Sequence, residues 1–291
     1  EFIGTLANPV GFDQLPEHLQ VLIGSNAADQ TMLLGKRTGQ MHLALASGTE
    51  AAFKPEPFSL HYQRSLYSHM QSLLREAFQN LNRYQKKATG DLAKKAELIL
   101  SQRSVLLEEM KKIYAKKLDV IKIRIHGNYH LSQVLLTGKD MAIQDYGGDA
   151  ARSYSERRLK RAAFRDVASM VTSIYEVTLE SFRNNDHISK ESHADLLPFS
   201  SLWAHYISGI FINSWKETVK GSKLIPADPE DLSMMLQNYL LLQILNKLSY
   251  DVNYHEEKTP VSFDIILSLL KLDNEPRHAV AEAVGTVAKS S

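Results

Sequence analysis

The stretch Val120-Ile121-Lys122-Ile123-Arg124-Ile125-His126-Gly127-Asn128-Tyr129-His130-Leu131-Ser132-Gln133 decides the fold, because the apolar period changes there. Ile121, Ile123 and Ile125 alternate with Lys122 and Arg124, the two-residue period of a half-buried strand. Val134-Leu135-Leu136 and Met141-Ala142-Ile143 read as two more short strands, joined by a turn at Thr137-Gly138-Lys139-Asp140. A polar loop, His126 to Gln133, therefore ends one strand, and Asp145 follows another. A carboxylate straight after an apolar strand has little structural reason to be there, which makes Asp145 the first candidate functional residue.

On either side the pattern is helical. Residues 1–28 read as irregular, broken by Pro9, Gly11, Pro16 and Gly24, and an apolar stripe from about Asp29 runs through Leu33, Met41 and His42 to a stop at Gly48. Two long amphipathic helices follow, at about Ser59–Asn82 and Gly90–Lys117, and so short a link predicts antiparallel packing. After the β-segment, helices are expected at Phe164–Arg183, Phe199–Val219, Leu232–Ser249, Val261–Leu270 and Pro276–Ala288, the third opened by an Asp228 cap with Pro229 at its first position. The expected fold is mainly α with a small β-insert at about 120–146. The expected division is an irregular remnant of an upstream region over 1–28 and one helical body over 29–291.

Composition narrows the partners. A formal net charge of +1 over 291 residues gives no electrostatic reason to expect nucleic acid or an anionic membrane. The longest apolar stretches, near Tyr206–Trp215 and Tyr239–Leu245, are far shorter than the roughly 20 residues that span a bilayer. Without cysteine there are no disulfides or thiolate metal sites. The start, Glu1-Phe2-Ile3-Gly4, has neither an initiator Met nor a signal pattern and reads as a cut from a longer, cytoplasmic polypeptide.

The loop residues are of the types phosphoryl transfer uses. That chemistry needs a carboxylate at the acceptor hydroxyl, an amide oxygen at a metal ion, and an Asp on a second loop against Mg²⁺, because positioning and charge neutralisation supply most of the rate. Four runs stand in order: His126-Gly127-Asn128-Tyr129-His130-Leu131-Ser132-Gln133-Val134-Leu135, Asp145-Tyr146-Gly147-Gly148-Asp149-Ala150-Ala151-Arg152, Glu156-Arg157-Arg158 and Arg165-Asp166-Val167-Ala168-Ser169-Met170. Together they resemble the maltokinase family, relatives of the aminoglycoside phosphotransferases often fused to the C-terminus of trehalose synthase. The family pattern is His-Gly-Asp-x-His-Leu-Gly-Gln-Val-Leu, Asp-Phe-Glu-Gly-Glu-Pro-x-Arg, a basic Glu-Arg-Arg segment and Arg-Asp-Val-Ala-Gly-Met. Gly35-Lys36-Arg37-Thr38-Gly39-Gln40-Met41-His42 and Lys247-Leu248-Ser249-Tyr250-Asp251 extend the likeness from Leu34 to Leu270.

The resemblance implies the C-terminal lobe of a protein-kinase-like fold, with the upper lobe missing from this chain. It also implies ATP- and Mg²⁺-dependent phosphorylation of maltose, or a related α-glucoside, to the 1-phosphate. An upstream trehalose synthase domain, interconverting maltose and trehalose, is the implied partner. Carried over, Asn128 stands at the catalytic base position with His130 beside it, and Gln133 and Asp145 stand at the Mg²⁺ and nucleotide positions. Asp149, Arg152, Arg165 and Asp166 stand at framework or sugar-side positions.

Several departures point to lost activity. Asn128 replaces the family Asp, and an amide cannot accept the hydroxyl proton, a loss of about 10²–10⁴ in rate. Gly147 replaces a Glu, Asp149 shortens another, Ala150 replaces Pro, and Ser132 replaces Gly. The competing reading is a non-catalytic module that binds sugar or stabilises the synthase domain. A metal hydrolase on His126, His130 and Asp145 is a third, disfavoured because Gly127 after a strand opposes the helix that would bring both histidines to one face. Residue types alone also allow plain roles. Trp203, Tyr206, Phe211 and Trp215 fit a core stripe, His130 fits a loop residue buttressing Asn128, and Arg157-Arg158-Leu159-Lys160-Arg161 fits a solvated turn.

Overall fold

The computed structural model describes residues 6–185 and 190–270. In chain order its elements are α1 (Glu17–Ile23), α2 (Ser25–Ala46), β1 (Glu56–Pro57), α3 (Leu60–Gln85), α4 (Gly90–Ser101), α5 (Arg103–Lys111) and β2 (Ile121–Lys122). Then come β3 (Val134–Leu136), β4 (Met141–Ile143), α6 (Tyr154–Arg157), α7 (Phe164–Arg183), α8 (Lys190–Val219), α9 (Pro229–Tyr254) and α10 (Thr259–Leu270). The expected β3–β4 hairpin and the bounds of α7 are found as read. The helix expected near Pro276–Ala288 lies outside the described residues.

Three expectations need correction. The stretch 1–28 is not irregular throughout. Pro16 stands at the N-cap of α1, and Gly24, at φ +80°, turns the chain directly from α1 into α2. The helix expected over Gly90–Lys117 is broken at Gln102, whose ψ of 2° leaves the helical range, and it ends in a 3₁₀ turn at Lys112–Tyr114. The bend keeps Ala96, Ile99, Leu106, Met110 and Ile113 buried along α3, which a straight rod of that length would not do. The strand expected from Val120 is shorter, because its partners are. β1 pairs antiparallel with β2, and beyond them Ile123 exchanges two backbone hydrogen bonds of 2.9 Å with Arg161.

Packing of α2 on α8 fixes the body of the fold. A Cβ on Gly35 would lie 2.5 Å from the Phe211 carbonyl oxygen, and one on Gly39 2.6 Å from Thr218 Cβ, so Gly35 lets the two backbones approach and Gly39 admits the Thr218 side chain. α7 lies against α8 and α9, with Phe164 edge-on to Trp215 (5.3 Å between centroids) and stacked near Tyr239 (5.9 Å). Tyr206, Phe211 and Trp215 are buried, so this part of the aromatic stripe is core. Asp228 accepts from the Glu230 and Asp231 amides, the cap read from the sequence.

The β-segment is held from both sides. Buried Gln63 on α3 donates to the Ile113 and Lys116 carbonyls (2.6 and 2.8 Å), anchoring the approach to β2. Arg37 on α2 grips Asp140 in the hairpin turn with two bonds of 2.7 Å, a planar fork across 103 residues. No helix among the described residues is long and apolar enough to cross a membrane.

Candidate functional site

The loop 126–133 is shaped by one buried carboxylate. Asp166, in the first turn of α7 and 1% exposed, accepts from the His126 amide (2.8 Å), the Gly127 amide (2.9 Å) and His42 Nε2 (3.2 Å). Trp215 Nε1 donates to His42 Nδ1 (3.0 Å), which sets the His42 tautomer so that Nε2–H points at Asp166. Three helices thus position the loop through one chain of hydrogen bonds. Gly127 takes φ +80°, and a Cβ there would lie 3.6 Å from Gly148 Cα, so the loop and the segment after β4 approach closely at a glycine. Tyr129 is buried below. Thr38 already donates to the Leu34 carbonyl, so the Tyr129 hydroxyl donates to Thr38 Oγ1 (2.7 Å), and burial holds its pKa well above the ordinary phenol value.

Asn128 is supported by His126, not by His130 as the sequence reading had it. The Asn128 amide donates to His126 Nδ1 (3.4 Å), while His126 Nε2 donates to the Gln144 carbonyl (2.8 Å). Both His126 nitrogens are therefore engaged, leaving none for a metal. The side-chain amide of Asn128 makes no hydrogen bond among the described residues.

His130, Gln133 and Asp145 come together. The hairpin register Val134↔Ile143 continues as a bond from the Gln144 amide to the Gln133 carbonyl (3.0 Å), which sets Asp145 beside Gln133. Gln133 Nε2 donates to Asp145 Oδ2 (3.3 Å) and to His130 Nε2 (3.4 Å). Burial pushes the His130 pKa below its ordinary value, and nearby His126 adds to this against Glu176 and Asp145. A neutral ring is what allows Nε2 to accept. Asp145 has φ +61°, and no other non-glycine among the described residues has positive φ. A Cβ on Gly147 would lie 3.2 Å from Asp145 Oδ1, so glycine at this position leaves that carboxylate open.

The other predicted residues divide. Asp149 spends its oxygens locally, accepting from the Ala151 amide (2.9 Å) and pairing with Arg152 Nε (3.3 Å). Arg165 makes no hydrogen bond or ion pair with Asn128 or Asp145 among the described residues; burial lowers its pKa, and the charges of Arg152 and Arg161 add to this. Asp166 is framework. The sequence places His42 in an apolar stripe and in the Gly35–His42 run, neither of which points to Asp166, 124 residues away.

Asp145 and the Gln133 amide oxygen are hard donors of the kind Mg²⁺ takes. No set of three or more His, Asp or Glu among the described residues converges on a metal site. The donors therefore fit an Mg²⁺ that brings phosphate oxygens with it, and not a cage built by protein alone.

No family profile matches the chain. Solved structures do. Glucosamine kinase in one crystal form has a TM-score of 0.65 and 20% identity, covering 88% of this chain and 54% of that one. Glucosamine kinase in complex with glucosamine, ADP and inorganic phosphate gives 0.65 and 19%, covering 89% and 53%. The chain spans about half the length of these relatives. At such identity the likeness establishes the fold alone and shows neither maltokinase nor a synthase fusion. The chain has a sugar-kinase-like fold.

Proposed function

We propose that this chain is a nucleotide- and sugar-facing helical lobe of the phosphotransferase type whose own phosphoryl transfer is impaired. In the finer form of this proposal it is maltokinase-like, takes maltose or a related α-glucoside, and works beside a trehalose synthase domain. The observation that carries the reading is Asp145. Asp145 takes the left-handed backbone that few non-glycine residues adopt, and it stands beside Gln133 where a metal–phosphate group would be held. Mg²⁺ bound with ATP supplies charge neutralisation at the phosphates. Asp145 and Gln133 would hold it, Asp166 and His126 hold the loop, and Asn128 would present an amide to the acceptor hydroxyl. An amide orients that hydroxyl but takes no proton from it.

Asn128 and Gly147 also favour a second reading, a sugar-binding or stabilising module without turnover. Calorimetric titration with Mg-ATP, maltose and glucosamine, alongside a phosphotransfer assay, separates the two. Mg-ATP binding that weakens in Asp145→Ala, and turnover that rises by about 10²–10⁴ in Asn128→Asp, support the first. Sugar binding with no nucleotide binding supports the second. Turnover by the parent chain at an ordinary kinase rate of about 1–100 s⁻¹ sinks the impairment.

A further inference from the structure

The β3–β4 hairpin has Gln133 and Asp145 at its base, yet the core grips it only lightly. Val134, Met141 and Ile143 are partly buried, while Leu135 and Leu136 are exposed. Neither strand has a further strand neighbour among the described residues. Two bonds fasten the base. The Gln144 amide donates to the Gln133 carbonyl (3.0 Å), and His126 Nε2 donates to the Gln144 carbonyl (2.8 Å). Three residue pairs carry the hairpin about 10 Å beyond that base. Fastened there alone, it could swing about Gln133 and Gln144 and carry Asp145 with it.

The second fastening is at the tip. Arg37 Nε and Nη2 donate to Asp140 Oδ1 and Oδ2, each at 2.7 Å. Both partners are held ready for this fork. Gln40, one helical turn on, accepts from Arg37 Nη1 (2.5 Å), and Asp140 Oδ1 also accepts from the Met141 amide (2.7 Å). The clamp therefore acts on the first residue of β4 and not on a loose turn side chain. The Thr137 amide, donating to the Asp140 carbonyl (2.8 Å), closes the turn itself. With side chains 32% and 48% exposed, Arg37 and Asp140 add little to global stability, so what the fork supplies is orientation. Thr38, the next residue on α2, takes the Tyr129 hydroxyl (2.7 Å). Adjacent residues of one helix thus fasten both the loop that carries Asn128 and the hairpin that leads to Asp145.

We propose that Arg37 is a positioning residue for the metal–phosphate group: by clamping the hairpin tip to α2, it fixes how Gln133 and Asp145 face one another at the base. The assignment rests on the reading of Asp145 and Gln133 as the groups that take Mg-ATP. Mg²⁺ accepts oxygen donors only at short distances and in near-octahedral directions, so a small swing of the hairpin about its base costs affinity without unfolding anything. Two fastenings, at base and tip, remove that swing.

The test is calorimetric titration of the full chain with Mg-ATP, with thermal melting of the same variants. Expected is a dissociation constant about tenfold higher in Arg37→Gln and in Asp140→Asn, and a double variant no weaker than either single one. Each should melt within about 4 °C of the parent. A further readout needs no ligand: hydrogen exchange at the Gln144 amide quickens in Arg37→Gln. A parent chain that does not bind Mg-ATP refutes the reading of Asp145 and Gln133, and the proposal with it. A parent that binds, beside an Arg37→Gln variant that binds equally well, overturns the proposal alone. So do losses that add in the double variant, which would make Arg37 a direct contact of the nucleotide. A larger fall in melting temperature marks Arg37 as structural and overturns it, as does unchanged exchange at Gln144.

Discussion

Replacing Asp166 with alanine removes one carboxylate and strands three donors. The His126 and Gly127 amides and His42 Nε2 lose acceptors at 2.8, 2.9 and 3.2 Å, in a place where Asp166 is 1% exposed. An unsatisfied buried donor costs about 1–3 kcal/mol, and the cavity admits some water, so the sum is roughly 4–6 kcal/mol. At about 2–4 °C per kcal/mol for a chain of this size, the melting temperature falls by roughly 10–20 °C. Asp166→Asn is milder. Its carbonyl can take the Oδ2 position, which serves both His126 and His42, leaving one amide–amide clash at Gly127. Its fall should be about half as large. Scanning calorimetry measures both, and amide hydrogen exchange reports whether residues 126–128 open first. An alanine variant melting within about 3 °C of the parent, or one with unchanged exchange at His126 and Gly127, refutes the idea that Asp166 holds the loop.

Three further outcomes are expected. Gly35→Val drives a side chain into the Phe211 carbonyl at 2.5 Å and Ser214 Cβ at 2.7 Å. Overpacking of that kind costs about 1–3 kcal/mol or more, seen as a lower urea midpoint. His130 has a lowered folded-state pKa. Below the unfolded value of about 6.5 the unfolded chain therefore binds more protons, and stability drops as pH falls from 7 toward 5. His130→Gln should flatten that slope, and an unchanged slope in urea titrations at pH 7, 6 and 5 contradicts it. Asp140→Ala frees the hairpin turn from Arg37 while barely moving the melting temperature, since both groups are solvent-facing. Faster exchange of the amides across β3 and β4 is the sign to look for.

The sequence alone determined what depends on neighbours in the chain. Alternation of Ile121, Ile123 and Ile125, the Thr137–Asp140 turn and the Asp228-Pro229 start each carry their structure locally, through side-chain period, turn chemistry and capping. Because the hairpin register follows from its turn, the meeting of Gln133 and Asp145 was also within reach of the sequence. Punctuation was harder to weigh. Pro16 and Gly24 read as breakers and act as caps, since the seven residues between them make the roughly two turns of α1. The bend at Gln102 comes from the curved surface of α3, which no pattern inside 90–117 encodes. Tertiary structure alone decided that Asp166 and His42 govern the loop. Those groups act through charge and hydrogen bonds between residues far apart in the chain, and only packing of α2, α7 and α8 sets their distances.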